Sequence, residues 1–336
     1  MMKAVVSYGS RMPLVFEDRQ VPRPGPEDVI IKVLRCGICG SELHMTEGPA
    51  RMFPDGLVMG HEYAGEIVAL GSGVTGLSTG DLVAVYPAAG CGDCDACHMG
   101  NQILCQNALR LMGGFAEYAQ VPAKVAVKLP EGLSAADGAL IEPLSVALYG
   151  VRLSRIQPGD RVLVLGAGTI ALAVIYWARR LGAGRIVAMS RSSRRAPMVL
   201  EMGGDAFVPY GEDEAGQVMA ALNGAPDIVY ECVGSPGFLD KGIQHVRPFG
   251  QVMSLGFGSA PDPISPARAG MKGVSLQFPV GYSIKDFRYV ADVMQTGHVD
   301  PKRLISKVIP LADLPAMFDH LHDVNAETKV QVEGAG

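Results

Sequence analysis

The stretch between residues 159 and 278 narrows the possible folds more than any other part of the chain. An unbroken apolar run at 161–165 (RVLVL) leads into Gly166-Ala167-Gly168-Thr169-Ile170-Ala171, and a helical pattern follows over 170–181. Further apolar runs lie at 185–189, 205–208, 227–231, 251–255 and 274–278, with a helical segment near 196–202. Strands that are apolar on both faces and alternate with helices belong in a parallel sheet covered on both sides. Six of them in two halves make an α/β, doubly wound sheet of the dinucleotide-binding kind.

The turn after the first strand is chemically specific. It reads G-x-G-x-x-A: Gly166 makes the bend, Gly168 lets backbone approach a pyrophosphate, and small Ala171 lets helix and sheet pack closely. The helix start at Thr169 and Ile170 faces the anion. An NAD enzyme usually ends its second strand with an acidic residue that binds the ribose 2′-hydroxyl. Here that place reads Ser190-Arg191-Ser192-Ser193-Arg194-Arg195, without a carboxylate. A carboxylate would repel a 2′-phosphate, whereas an arginine grips one through two charged hydrogen bonds. The expected cofactor is NADP(H) in preference to NAD(H), on Ser190 and Arg191 with Arg195 as a helper.

The first 130 residues have another texture. Short runs at 28–34, 63–70 and 81–85 are broken by Gly and Pro, as in an irregular β-rich domain. Ser134 reads as the N-cap of a helix over 135–141, with a second helix starting near Pro143. Later segments are a helix over about 285–295, short pieces at 305–309 and 314–321, and a last strand at 329–332 that returns to the first domain.

Four of the seven cysteines, Cys91, Cys94, Cys97 and Cys105, fall within fifteen residues. Clustered thiols in a chain with no secretion signal point to metal before disulfides. Four thiolates in one loop complete a tetrahedral zinc site with no open position, so this zinc is structural and orders a loop that lacks a core of its own. A second set differs in kind. Cys39, His61 and Glu62 offer a thiolate, an imidazole and a carboxylate on two glycine-flanked turns, and three ligands leave room for an exchangeable fourth.

GICGSELH (37–44), GHEYAGEIVALGSGV (60–74) and the four-cysteine lobe, in this order, resemble the zinc-dependent medium-chain alcohol and polyol dehydrogenases, over essentially the whole chain. The resemblance implies a GroES-like irregular β catalytic domain (1–145, with a structural-zinc lobe at about 88–108). It also implies a Rossmann domain with a doubly wound parallel sheet (146–284) and a return to the catalytic domain (285–336). It assigns Cys39 and His61 to the catalytic zinc. Glu62 becomes a ligand or near neighbour that exchanges with water, and Glu142 of IEPLSVA a further carboxylate aimed at the metal. Ser41 and His44 would relay the proton released as hydride passes to the nicotinamide. Glu42 departs from the family's usual aspartate and is left out of the catalytic roles. Cys36 has no metal role, and Cys232, within the apolar run at 227–233, reads as core.

Polyol-specific members carry an arginine and a tyrosine near the sixth Rossmann strand, where this chain reads Leu276-Gln277-Phe278-Pro279. The loop at 106–112 is short for the family, and Ala50, Met52 and Phe53 suggest an apolar wall. These features favour a secondary or aryl alcohol and its ketone or aldehyde. A polyol, sugar or threonine-type dehydrogenase is the alternative, and a non-catalytic NADPH-binding zinc protein is the alternative from another class. The ligand set argues against the zinc-free quinone reductase branch.

Length and charge set the remaining bounds. A chain of 336 residues suits two domains, and a formal net charge of −5 argues against nucleic acid or anionic membrane as partner. No run approaches the roughly 18 apolar residues of a membrane span. The polar turn at 7–11 interrupts any signal-peptide core, so the expected location is cytoplasmic. The expected partners are a small-molecule alcohol or carbonyl substrate and further copies of the chain. A homodimer or homotetramer would use the sheet edge at 274–278.

Overall fold

A computed structural model of the protein describes residues 1–47, 54–258, 260–323 and 325–334. The suggested wall of Ala50, Met52 and Phe53 lies outside them. The chain forms two compact units, one of Met1–Glu142, Tyr282–Gln295 and Ile305–Gly336, the other of Pro143–Gly281 and Thr296–Leu304. Residues 296–304, expected in the first unit, thus belong to the second. Arg180 donates to the Thr296 carbonyl and hydroxyl, and Arg303 pairs with Glu201 at 2.9 Å, which ties this stretch to its helices.

The first unit is built around strand Asp28–Gly37. It pairs antiparallel with Glu62–Leu70, with Tyr118–Pro122 and with Lys329–Glu333. Val29, Ile31 and Val33 of this strand are fully buried. The terminal strand returns in the register Gln331↔Gly37 and Val332↔Cys36, which brings residue 329 to the metal-ligand turns. A separate three-stranded sheet joins Val15–Arg19, Met2–Ser7 and Leu57–Val58.

The two helices expected over 135–141 and from near Pro143 are both present, with the boundary between them a few residues earlier. Ser134 does cap Ala135–Gly138, in a capping box with Asp137, and a new helix runs over Ile141–Leu153. Pro143 is tolerated there because first-turn N–H groups have no helical partner to lose.

In the second unit six parallel strands lie in the order Ala206–Pro209, Arg185–Ser190, Arg161–Leu165, Ile228–Glu231, Gln251–Ser254, Ser275–Gln277. Counted along the chain this is 3-2-1-4-5-6, so the strand order reverses beside Arg161–Leu165 and opens a crevice at the carboxyl ends. Leu163, Leu165, Val187, Met189, Val229 and Val252 fill the core. Trp177 of helix Thr169–Arg180 is fully buried, and its indole N–H donates to the Leu144 carbonyl at 2.8 Å. Helices Glu214–Leu222, Phe238–His245 and Pro266–Lys272, which the sequence did not single out, also belong to this unit. No helix among the described residues is long and apolar enough to cross a membrane.

Candidate active site

Two turns meet at the end of the central strand. Asp28–Gly37 stops, Cys39 follows, and helix Gly40–Glu47 begins at the next residue. The Ser41 hydroxyl donates to Cys39 Sγ at 3.1 Å. The second turn passes through Gly60, whose φ of +90° suits glycine. A Cβ there would lie 2.8 Å from the Phe115 backbone nitrogen. His61 and Glu62 come next. Cys39 Sγ, a ring nitrogen of His61 and a carboxylate oxygen of Glu62 all lie within 4.8 Å of one another. A soft thiolate, an imidazole and a carboxylate at this spacing fit a zinc ion with an exchangeable position.

Glu42 joins the two turns. It is fully buried and accepts hydrogen bonds from the Cys39 N–H (3.1 Å), the Gly60 N–H (3.0 Å) and His61 Nδ1 (2.8 Å). Left out of the catalytic roles, it stands behind the ligand turns as the partner of His61. The extra methylene lets the carboxylate curl back over the helix start and reach both turns. Burial alone would lower the His61 pKa, but Glu42 and Cys39 outweigh it and hold the imidazole well above its ordinary range.

Glu62 meets a cation that the sequence did not single out. Lys329 Nζ donates to both carboxylate oxygens (2.7 and 2.6 Å) and to the Ile38 carbonyl (2.9 Å). Burial pulls the Lys329 pKa down, yet Glu62 more than reverses this and raises it. The available signal was a lysine at the head of a terminal strand in which Val330 and Val332 alternate with Gln331 and Glu333.

Glu142 stands outside the group of three. It is buried at the start of its helix and accepts the Tyr282 hydroxyl at 2.7 Å, while the Tyr282 carbonyl accepts from Tyr86. Burial, with the charge of Glu62, pushes its carboxyl up to about 7 against the opposing pull of His61. Tyr282, too, was missed by sequence reasoning. His44 is exposed on helix Gly40–Glu47.

The four-cysteine loop closes on itself. Cys91, Cys94, Cys97 and Cys105 place their sulfurs within 4.8 Å, and none is in a disulfide. The glycine turn is formed as well: Gly166 has φ +110° and helix Thr169–Arg180 starts behind Gly168. Arg195 Nη1 donates to the Ala167 carbonyl at 3.4 Å, which sets its guanidinium at that turn. Ser190 ends its strand half-buried, and Arg191 is exposed. Tyr210, again unforeseen, donates its N–H to the Ser190 carbonyl at 3.0 Å. Its ring packs against Phe238 and under Lys241, and its buried hydroxyl has no partner among the described residues.

With this geometry in place, the comparisons with known proteins are decisive. The profile of the alcohol dehydrogenase GroES-like domain matches residues 25–131, and that of the zinc-binding dehydrogenases matches 169–296. A probable D-xylulose reductase A of Aspergillus clavatus is 31% identical over 323 residues, 90% of this chain and 89% of that one. The chain belongs to the zinc-binding alcohol dehydrogenase family. An L-threonine 3-dehydrogenase of Pyrococcus horikoshii is 38% identical over 76% of this chain and 74% of its own. Among solved structures, 2R,3R-butanediol dehydrogenase from Bacillus subtilis superposes with a TM-score of 0.91 at 30% identity, covering all of both chains. A putative zinc-binding dehydrogenase from Sinorhizobium meliloti 1021, bound to NADP, gives 0.89 at 30% identity over 99% of each.

As a zinc-binding alcohol dehydrogenase the chain is an oxidoreductase acting on CH–OH groups with a nicotinamide cofactor. Two thiols lie apart from its metal-ligand sets. Cys36 is fully buried, and burial pushes its thiol well above the ordinary range. Cys232 was expected in the core, but the strand ends at Glu231 and Cys232 follows it, only partly buried. The strand stops there because the Glu231 carboxylate accepts the N–H groups of Val233 and Gly234 (2.6 and 2.8 Å), folding the chain into a turn.

Proposed function

We propose that this enzyme is a zinc-dependent, NADP(H)-preferring dehydrogenase of secondary alcohols that also reduces the corresponding ketones. The observation that carries the reading is the convergence of Cys39, His61 and Glu62 within 4.8 Å. Zinc held there would polarise a substrate hydroxyl or carbonyl. Glu42 fixes the imidazole, Ser41 steadies the thiolate, and the proton leaves through Ser41 towards exposed His44. Glu62 would supply the carboxylate of the ligand set, and Glu142, held by the Tyr282 hydroxyl, would be a further carboxylate for the metal. The closed set Cys91, Cys94, Cys97 and Cys105 would hold a second, structural zinc.

NADP(H) preference rests on Ser190 and Arg191 in place of a carboxylate, on Arg195 at the glycine turn, and on Tyr210, whose backbone pairs with Ser190 and whose hydroxyl has no partner among the described residues. A 2′-phosphate would give that hydroxyl an acceptor.

The relatives' names bear on the substrate. D-xylulose, L-threonine at position 3 and 2R,3R-butanediol all denote a secondary carbinol or its ketone with a polar neighbouring carbon. They favour the polyol or amino-alcohol alternative over an aryl alcohol, while Leu276-Gln277-Phe278-Pro279 favours a less hydroxylated chain. A small secondary alcohol with one adjacent polar group satisfies both. A cytoplasmic homo-oligomer completes the reading. Ser275–Gln277 is an edge strand, and Phe278 and Val280 beside it are exposed.

The test is turnover of diols, polyols, threonine and simple secondary or aryl alcohols with each nicotinamide, read by absorbance. Fast reaction of a small diol or secondary alcohol with NADP supports the proposal. Turnover confined to NAD removes the cofactor assignment, and turnover confined to long polyols removes the substrate assignment. Loss of all activity in Cys39→Ala, with folding retained, is expected of the zinc reading.

A further inference from the structure

Strand Lys329–Glu333 carries a charge into a place where charge is costly. Lys329 and Glu62 have side chains only 2% and 1% exposed. An ammonium has three donors, and Lys329 uses all three, on Glu62 Oε1, Glu62 Oε2 and the Ile38 carbonyl. Gly37, paired with Glu62 across the sheet, leaves the room: a Cβ there would lie 2.0 Å from Glu62 Oε2 and 3.2 Å from Lys329 Cδ. A returning strand, a glycine and a buried cation are thus arranged around one carboxylate, and that carboxylate also faces Cys39 and His61.

We propose that Lys329 is a positioning residue that weakens Glu62 as a metal ligand and so keeps the metal position at Cys39 and His61 exchangeable. The inference rests on the zinc reading of that position. Hydrogen bonds from an ammonium occupy lone pairs on the same oxygens that would bind a cation, and the nearby positive charge opposes a divalent ion. Without metal, the same ammonium gives buried Glu62 its counter-charge. Removing the lysine alone would leave a buried, unpaired carboxylate that a metal ion is best placed to satisfy.

The experiment compares full-length wild type with Lys329→Met, Glu62→Gln and the double variant. Each is loaded with cobalt(II), and loss of the metal to a chelator is followed through the thiolate–cobalt absorption. The four-cysteine metal serves as an internal slow reference. Lys329→Met is expected to slow release from the Cys39–His61 position by roughly tenfold or more, the scale on which groups behind metal ligands act. Glu62→Gln with Lys329 kept, and the double variant, should both stay within about threefold of wild type, since the slowing requires a freed carboxylate. Unchanged or faster release from Lys329→Met overturns the inference, as does a double variant as slow as the single one. Should Lys329→Met not fold, Glu62→Gln against the double variant decides: a difference beyond that range means Lys329 acts without Glu62, and the inference fails. Cys39→Ser separates the two levels, because full metal loading of that variant would overturn the zinc reading itself.

Discussion

His61 Nδ1 lies 2.8 Å from Glu42 Oε1, and this contact decides which side of the imidazole is free. A carboxylate only accepts, so Nδ1 carries a hydrogen, and Nε2 is the nitrogen that would give its lone pair to a metal, losing its own proton as the metal binds. The same carboxylate takes the N–H groups of Cys39 and Gly60, so it aims a thiolate turn and an imidazole turn together. Glu42→Gln keeps the shape but can present an amide N–H to Nδ1. Weakening of metal binding at the Cys39–His61 position by roughly 10–100-fold is expected, with Glu42→Ala weaker still. Competition with a chromophoric chelator measures it. Unaltered affinity in Glu42→Ala would remove Glu42 from the site.

Gly37 makes a separate prediction. Its missing Cβ is filled by Glu62 Oε2, whose carboxylate is pinned by Lys329 and cannot swing away freely. Gly37→Ala should cost about 1–3 kcal/mol, as overpacking does. Urea unfolding gives the number. A variant as stable as wild type would show that the pair has room to move.

The cofactor surface divides two nicotinamides. If Arg191 and Tyr210 hold a 2′-phosphate, Arg191→Ala and Tyr210→Phe each raise KM for NADPH by roughly tenfold or more, the worth of one hydrogen bond to a charged group. KM for NADH should stay nearly constant. Equal effects on both cofactors would mean that these residues shape the pocket without reading the phosphate.

Asp227 supplies a pH dependence away from the active site. Burial alone would raise its pKa, but hydrogen bonds from Arg161 and then Arg247 win and hold it at about 2, below its ordinary 3.8. A depressed folded-state pKa stabilises above the unfolded value, and the gain is lost as pH falls from near 4 to near 2. Both arginines are about a third exposed, so screening trims the contribution to about 1–2 kcal/mol. Asp227→Asn should be less stable by that amount at neutral pH. Denaturation at a series of pH values should show the gap closing with acid. A gap that does not narrow between pH 4 and pH 2, or that grows, would contradict the assignment.

Much of the site could be read from local sequence because its chemistry is written in short spacings. The four-cysteine loop, the Gly166–Gly168 turn and the Cys39 and His61 turns are each defined by neighbours in the chain, and local backbone geometry suffices to build them. The place of Glu42 was not legible for the opposite reason. Its value depends on a contact with His61, nineteen residues away, which the one-methylene difference did not foretell.

Tyr210, Tyr282 and Lys329 belong to the same class. Strand order places Tyr210 beside Ser190, a hydrogen bond across 140 residues links Tyr282 to Glu142, and one across 267 links Lys329 to Glu62. The sequence by itself determined the fold class, both thiolate-bearing turns and the cofactor turn, because hydrophobic period, glycine placement and ligand spacing act over a few residues. Only the tertiary structure decided which buried charges face each other. A counter-charge becomes necessary only when strand pairing excludes water from the carboxylate, and that pairing joins segments with no local relation to one another.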